Sequence, residues 1–245
     1  MSDQRLLSSG LCRLGLKGRD DTLKGILQGA IDRKQKALSE YDSKRVVASA
    51  GVAITREGLA GSRDEAVTLA EDLGFPVVLK GCSSTLTHKT EMGMVKLNLG
   101  NGNEVARAYD EIMAAGVELD GVLVQEMIKG DREFVIGLTR DPQFGPCVMF
   151  GLGGIFTEVL NDVSFRIAPI SEIDALEMIE EIKTKKLLDE FRGSPAVDKK
   201  ALVKALVGIG RLGDEYDQIA EIDINPVIIS GDQPIAVDSL VILKS

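Results

Sequence analysis

The sequence predicts a mixed α+β fold. Strand-like and helix-like stretches alternate along most of the chain, which is the mark of α/β units. Three β-rich runs nevertheless follow one another in the middle, Gly121 to Ile128, Glu133 to Thr139 and Cys147 to Phe150, which favours an α+β arrangement over a doubly wound sheet. Two further strand-like runs, Ile219 to Ile229 and Ile235 to Leu243, close the chain and read as a hairpin.

The elements before the β-rich centre follow from periodicity and caps. Leu23, Ile26, Leu27 and Ala30 recur at helical spacing and predict a helix from Asp21 to Ala37, within an appended arm covering residues 1–37. Ser39 followed by Asp42 opens a second helix that stops near Gly51. An extended run from Val52, a helix from Ser62 to Leu73 closed by Gly74, and a strand from Val77 to Lys80 then form a small α/β unit. A helix from Glu104 to Ala115 precedes the central strands. Two more helices, Ser171 to about Phe191 and Asp198 to Tyr216, separate those strands from the terminal hairpin.

Composition narrows the function. A chain of 245 residues that is 44% hydrophobic can bury a substantial core. Its net charge of −9, from 38 acidic and 29 basic residues, argues against a nucleic-acid partner, so an anionic ligand needs a local basic site. Cys12, Cys82 and Cys147 are too few and too scattered for a disulfide framework or zinc site, which fits a reducing cytoplasm. No apolar run suggests export or membrane insertion.

Several residues carry chemistry. The apolar strand ending in Lys80 opens into a polar loop holding His88, the one histidine of the chain. A lysine and an imidazole at a strand end suit phosphate chemistry. The glycines Gly151, Gly153 and Gly154 allow a tight bend or a close approach to backbone. They match neither a dinucleotide fingerprint nor a GK[ST] phosphate loop. In the terminal pair, a two-residue turn at Gly231-Asp232 places Ser230 opposite Gln233, Ile229 opposite Pro234 and Asn225 opposite Asp238. Asp223 then shares their face. Three oxygen-bearing side chains would then converge, ligands of a kind that suits Mg²⁺, while Ile222, Ile224, Val227, Ile235 and Val237 are expected to face the core. The alternative is an ordinary polar hairpin face.

Lys80, the loop Thr87 to Gly93, the stretch from Thr139 to Gly154 (TRDPQFGPCVMFGLGG) and Glu221-Ile-Asp-Ile-Asn-Pro226 closely resemble the β subunit of ADP-forming acetyl-CoA synthetase. The similarity spans about residues 38–243, and its longest block runs from Thr139 through Pro169. The resemblance implies an ATP-grasp fold over 38–243, with a smaller subdomain at about 52–122 and a nucleotide held between two α/β subdomains. It implies conversion of acyl-CoA, ADP and phosphate to acid, CoA and ATP. A partner α subunit would bind CoA and carry the phosphorylated histidine, in an α2β2-type complex. Lys80 then matches the lysine that contacts nucleotide phosphates, Asn225 and Asp238 the Mg²⁺ ligands, and Asp223 the acid that orients the incoming phosphohistidine. Gln125, Glu126 and Met127 fall where a hinge offers backbone groups to adenine, and Glu133 matches a nucleotide-site carboxylate. His88 matches a second phosphoryl carrier or helper. Two positions depart from the family: Glu91 stands for an aspartate and Met94 for the second glycine of a pair, which would make the loop bulkier. Two other readings are a self-contained ATP-grasp carboxylate ligase and a nucleotide-binding regulatory subunit without turnover.

Overall fold

The computed structural model describes residues 16–85, 92–154, 162–190 and 193–244, and the chain divides into two compact units. The smaller comprises Arg56–Met127 together with the described residues before Leu23. Its sheet has the order β1-β4-β2-β3, from β1 (Glu57–Ala60), β2 (Val77–Cys82), β3 (Val95–Leu99) and β4 (Gly121–Glu126), with each neighbouring pair antiparallel. Helices α3 (Arg63–Leu73) and α4 (Gly102–Met113) pack on the sheet. Ser62 caps α3 by accepting the Glu65 amide, and Gly74 closes it at φ 87, a conformation that a residue without Cβ adopts freely. Asn101 caps α4 through the Glu104 amide, while the Glu104 carboxylate accepts the Gly100 amide at 2.7 Å. The core between helices and sheet takes Val77, Leu79, Val122 and Val124 from the strands and Ala66, Ala70, Val105 and Ile112 from the helices.

The larger unit comprises Leu23–Thr55 and Ile128–Ser245. Its sheet runs β10-β8-β5-β6-β7, with β9 also paired to β8. These strands are β5 (Glu133–Asp141), β6 (Gly145–Leu152), β7 (Val163–Ile167), β8 (Ile219–Ser230), β9 (Gln233–Ala236) and β10 (Leu240–Leu243). Helix α5 (Glu172–Glu181) carries a capping box between Ser171 and Asp174, and Asp198 caps α6 (Lys199–Glu215). The α6 residues Leu202, Leu206 and Ile209 join Phe134, Ile136, Leu138, Val148 and Phe150 in one core. Helix α2 (Glu40–Ser49) is capped by Ser39 as expected, and its Ser43 hydroxyl accepts the Val241 amide of β10.

Several expectations change. Helix α1 spans Leu16–Asp32, and Leu23, Leu27 and Ala30 lie in the core of the larger unit, so this part of the N-terminal segment is not an appended arm. The smaller unit runs to Met127 because β4 is the strand between β1 and β2, not the first strand of the larger sheet. Strands β3 and β7 fall in stretches where no element was expected. The helix expected over 171–191 stops at Glu181, where the Asp162 carboxylate accepts the amides of Lys183 and Thr184 and the chain passes into a 3-10 turn, Lys185–Leu188. Burial disfavours ionisation of Asp162, yet the Thr184 hydroxyl, the two amides and the Lys183 charge together hold its carboxyl below the usual range. Among the described residues, no helix is long and apolar enough to cross a membrane.

Candidate active site

In the smaller unit the site residues are sorted by strand register. Directly opposed residues of antiparallel strands share a face. Lys80 lies opposite Leu123, and Val78 opposite Gln125, which is in turn opposite Glu57. Since Leu79 and Val124 point into the helix-covered core, Lys80, Gln125 and Glu57 lie on the other face. All three are buried, at 7%, 2% and 9% exposure. A lysine so removed from water needs anionic or strongly polar company. Glu57 escaped the sequence reading because its strand is only four residues long and has no motif around it.

The hinge residues behave differently from one another. Glu126 accepts the Arg56 amide and Nε with its two carboxylate oxygens, both at 2.7 Å, and donates its own amide to the Arg56 carbonyl. The Met127 amide donates to the Pro76 carbonyl at 3.3 Å. These two amide donors are therefore spent inside the smaller unit, whereas the Gln125 side chain lies on the Lys80 face. Met94 is fully buried beneath Gly81, with Sδ 3.1 Å from where a Cβ would stand. Its bulk fills the core of the smaller unit. His88 lies outside the described residues.

In the larger unit the expected hairpin register is present: Ser230 opposes Gln233, Ile229 opposes Pro234 and Val227 opposes Ala236. The same alignment resumes in β10, where Leu240 opposes Asp223 and Ile242 opposes Glu221. Asn225 and Asp238 occupy corresponding places between the two segments, where the ladder is interrupted. On the other side of β8, Asn225 and Pro226 together face the single residue Val135, a bulge. The bulge changes the phase of the strand: Ile222 and Ile224 are buried before it, Val227 and Ile229 after it. Their partners Ala236 and Pro234 are the residues taken inward, so Ile235 and Val237 are half-buried and not core.

Asp223, half-buried, has its pKa pushed up to about 6, chiefly by burial and further by the carboxylates of Glu221 and Asp238. That field is what a cation would relieve. Among the described residues no group of three or more His, Cys, Asp or Glu side chains could hold a metal. The amide oxygen of Asn225 and the carboxylate of Asp238 are still hard donors of the kind Mg²⁺ takes, one or two at a time, with phosphate oxygens and water.

Glu133 begins β5, and its carbonyl accepts the Gly153 amide at 2.8 Å. The glycines nearby have local reasons. A Cβ at Gly153 would stand 2.7 Å from Phe134 backbone, and one at Gly151 2.5 Å from the Asp162 carbonyl. Gly154, at φ 70, leaves room for the Glu133 carboxylate, whose Oε2 lies 2.6 Å from the missing Cβ. Close packing of chain on chain accounts for all three.

A family model described as an ATP-grasp domain matches residues 29–243. The acetate–CoA ligase [ADP-forming] I subunit beta of Pyrococcus furiosus is 42% identical over 216 residues, covering 86% of this chain and 93% of that protein. Among solved structures, dinucleotide-forming acetyl-coenzyme A synthetase 1 of Ca. Korarchaeum cryptofilum, in complex with coenzyme A, Ca-AMPCP and HgCl+, superposes with a TM-score of 0.86 at 46% identity. The match covers 90% of this chain and 99% of that one. A second structure of that enzyme, with coenzyme A and Mg-AMPPCP and its phosphohistidine segment pointing towards the nucleotide binding site, gives a TM-score of 0.81 at 45% identity over 91% and 100% of the two chains. The chain belongs to the ATP-grasp family, among the β subunits of ADP-forming acetate–CoA ligases.

Proposed function

We propose that this chain binds magnesium-bound ADP or ATP and exchanges a phosphoryl group with a phosphohistidine on a partner α subunit, within an α2β2-type complex. The complete reaction is then acyl-CoA, ADP and phosphate to acid, CoA and ATP, reversibly, with acetyl-CoA as the acyl donor. The observation that carries this reading is the acidic hairpin, where Asp223, pushed up to about 6, stands between Glu221 and Asp238 on the face of Asn225. The Mg²⁺ complex of a nucleotide analogue in the Korarchaeum enzyme supports it.

Each residue has a definable part. Lys80 neutralises charge on the phosphate oxygens, where little covalent work is left to the protein. Asn225 and Asp238 hold Mg²⁺, which supplies charge neutralisation for the phosphates. Gln125 and Glu133 contact the nucleotide away from the reacting phosphate, and His88 assists or carries the phosphoryl group. Asp223 accepts the N–H of the incoming imidazole, fixing the tautomer so that the other ring nitrogen bears the phosphoryl group. In the transfer the P–N bond breaks and a P–O bond forms to ADP. The ring nitrogen keeps the electron pair, and since the other nitrogen retains the N–H held by Asp223, the ring leaves as neutral imidazole with no further proton required. At pH 7 Asp223 is mostly ionised, as an acceptor must be.

The test is acid and ATP formation from acetyl-CoA, ADP, phosphate and Mg²⁺ by this chain alone, its α partner alone, and both together. ATP release by the mixture alone is expected. Nucleotide binding without turnover in any mixture, across a panel of thioesters, would sink the proposal.

A further inference from the structure

Strand β7 forms one edge of the larger sheet, and its two exposed side chains are apolar: Phe165 is 50% exposed and Ile167 52%. Ser164 and Arg166 turn to the opposite face, where the Ser164 hydroxyl bonds the Phe150 and Met178 carbonyls and Arg166 pairs with Glu177 and Glu181. The exposed side is thus continuous with the face that carries the acidic hairpin. One unbroken register row crosses the sheet from Leu240 through Asp223, Gly137 and Met149 to Phe165. Beside it Ile242 opposes Glu221 on β8, and further across Thr139, Cys147 and Ile167 stand in register. In both directions the face grades from carboxylates on β8, over small residues on β5, to apolar side chains on β6 and β7. Gly137 leaves room for the Met149 side chain, whose Cε lies 3.0 Å from where a Gly137 Cβ would be.

We propose that this strip of Met149, Phe165 and Ile167 seats the partner's histidine-bearing segment while Asp223 engages its imidazole, an inference that rests on the function proposed above. Charge selects this occupant. The β8 end is acidic and suits a ring that donates N–H, and neither row contributes a basic residue that would favour an acidic peptide. Geometry sets the length. Phe165 and Asp223 are three strand spacings apart, roughly 14 Å at about 4.8 Å each, which an extended segment crosses in about four residues. The partner segment therefore carries an apolar side chain about four residues from its histidine.

The test uses the assembled complex. Benzoylphenylalanine in place of Phe165, irradiated and mapped by mass spectrometry, should cross-link to the partner within about six residues of its histidine. Cross-links elsewhere on the partner, or none, overturn the proposal. In parallel, the complex is charged with phosphate on the partner histidine and discharged by ADP in a single turnover. Phe165→Ser with Ile167→Ser should slow discharge about tenfold or more with ADP affinity and complex mass unchanged. Ile173→Ser with Leu176→Ser, exposed apolar positions on α5, should leave the rate alone. An unchanged rate in the β7 variant overturns the docking strip. Loss of assembly also overturns it, since the face would then be a fixed subunit contact. If the wild-type complex fails to discharge to ADP, the proposed function fails and the strip with it. Discharge by wild type and by the β7 variant at one rate removes the strip alone.

Discussion

Asn225 and Asp238 occupy matching places at a break in a register that otherwise holds along β8 from Ser230 opposite Gln233 to Glu221 opposite Ile242. The break and the bulge at Asn225-Pro226 coincide, so the Asn225 and Asp238 side chains leave the ladder beside the carboxylates of Asp223 and Glu221. The sheet holds them in place on both sides: Val227 and Ala236 in the core beyond the break, Ile222 and Val241 before it. A loop could supply the same donors, but a paired strand fixes their spacing.

Asp223→Asn should separate function from stability. Phosphoryl exchange with the partner's histidine is expected to fall by at least a hundredfold, because an amide no longer accepts the ring N–H as a charge, while nucleotide binding by calorimetry stays within about threefold. The free chain should become more stable. A carboxyl whose folded pKa is raised binds more protons folded than unfolded, so stability falls as pH rises between the unfolded value near 4 and the folded value of about 6. Roughly two pKa units at about 1.4 kcal/mol each set a ceiling of about 3 kcal/mol, and partial exposure lowers it to about 1–2 kcal/mol. Thermal melts should show this gain above pH 6 and lose it below pH 4. A variant with full exchange activity would remove Asp223 from the mechanism.

Lys80→Ala is expected to weaken nucleotide binding and exchange together. A charged hydrogen bond to phosphate contributes about 1.5–3 kcal/mol, which is about ten- to hundredfold in Kd. Lys80→Met, keeping the aliphatic stem on the buried face, should show the same loss without unfolding the smaller unit. Calorimetry with ADP and Mg²⁺ measures the first effect and far-UV melts the second. Unaltered ADP affinity in both variants would place the phosphates elsewhere.

Much of this arrangement is readable in the sequence where the determinants are local. Ser39, Ser62 and Gly74 set helix ends as expected, and Gly231-Asp232 sets the hairpin alignment. What the sequence hides is tertiary. The early stop of α5 depends on Asp162, some twenty residues upstream, and the inward turn of Ala236 depends on a bulge in a different strand. Strand β7 points its larger apolar residues outward, so its alternation gives no clue to which face is the core. Glu57 becomes a candidate only once pairing places it beside Gln125. Resemblance marks Glu126 as a hinge residue, but its carboxylate proves to be committed to Arg56.

Two glycines in helices should respond in opposite directions. Gly25 in α1 is exposed with nothing within 4 Å of a would-be Cβ, so Gly25→Ala should stabilise by about 0.5–1 kcal/mol through lower unfolded-state entropy. Gly208 in α6 lies where a Cβ would sit 1.9 Å from the Ala50 carbonyl, at the end of α2. Backbone cannot yield there cheaply, so Gly208→Ala should cost about 3 kcal/mol or more. Denaturant midpoints of the two variants decide it. A neutral Gly208→Ala would mean that α2 and α6 can part without penalty.

Lys44 and Glu40 form an ion pair 3.0 Å apart with side chains 0% and 1% exposed, and Lys44 Nζ also donates to Thr55 Oγ1 at 3.3 Å. Desolvation at such a site offsets much of the attraction, so the pair's value lies in each charge being needed by the other. Glu40→Ala should therefore cost about 3–5 kcal/mol by leaving a buried ammonium without its carboxylate. At the roughly 2–4 °C per kcal/mol expected for a chain of this size, the melt falls by about 10 °C. Glu40→Leu combined with Lys44→Met removes both charges and should recover most of that loss. A double variant as unstable as Glu40→Ala would show that the ammonium's bond to Thr55, at the last residue before the smaller unit begins, matters more than its bond to Glu40.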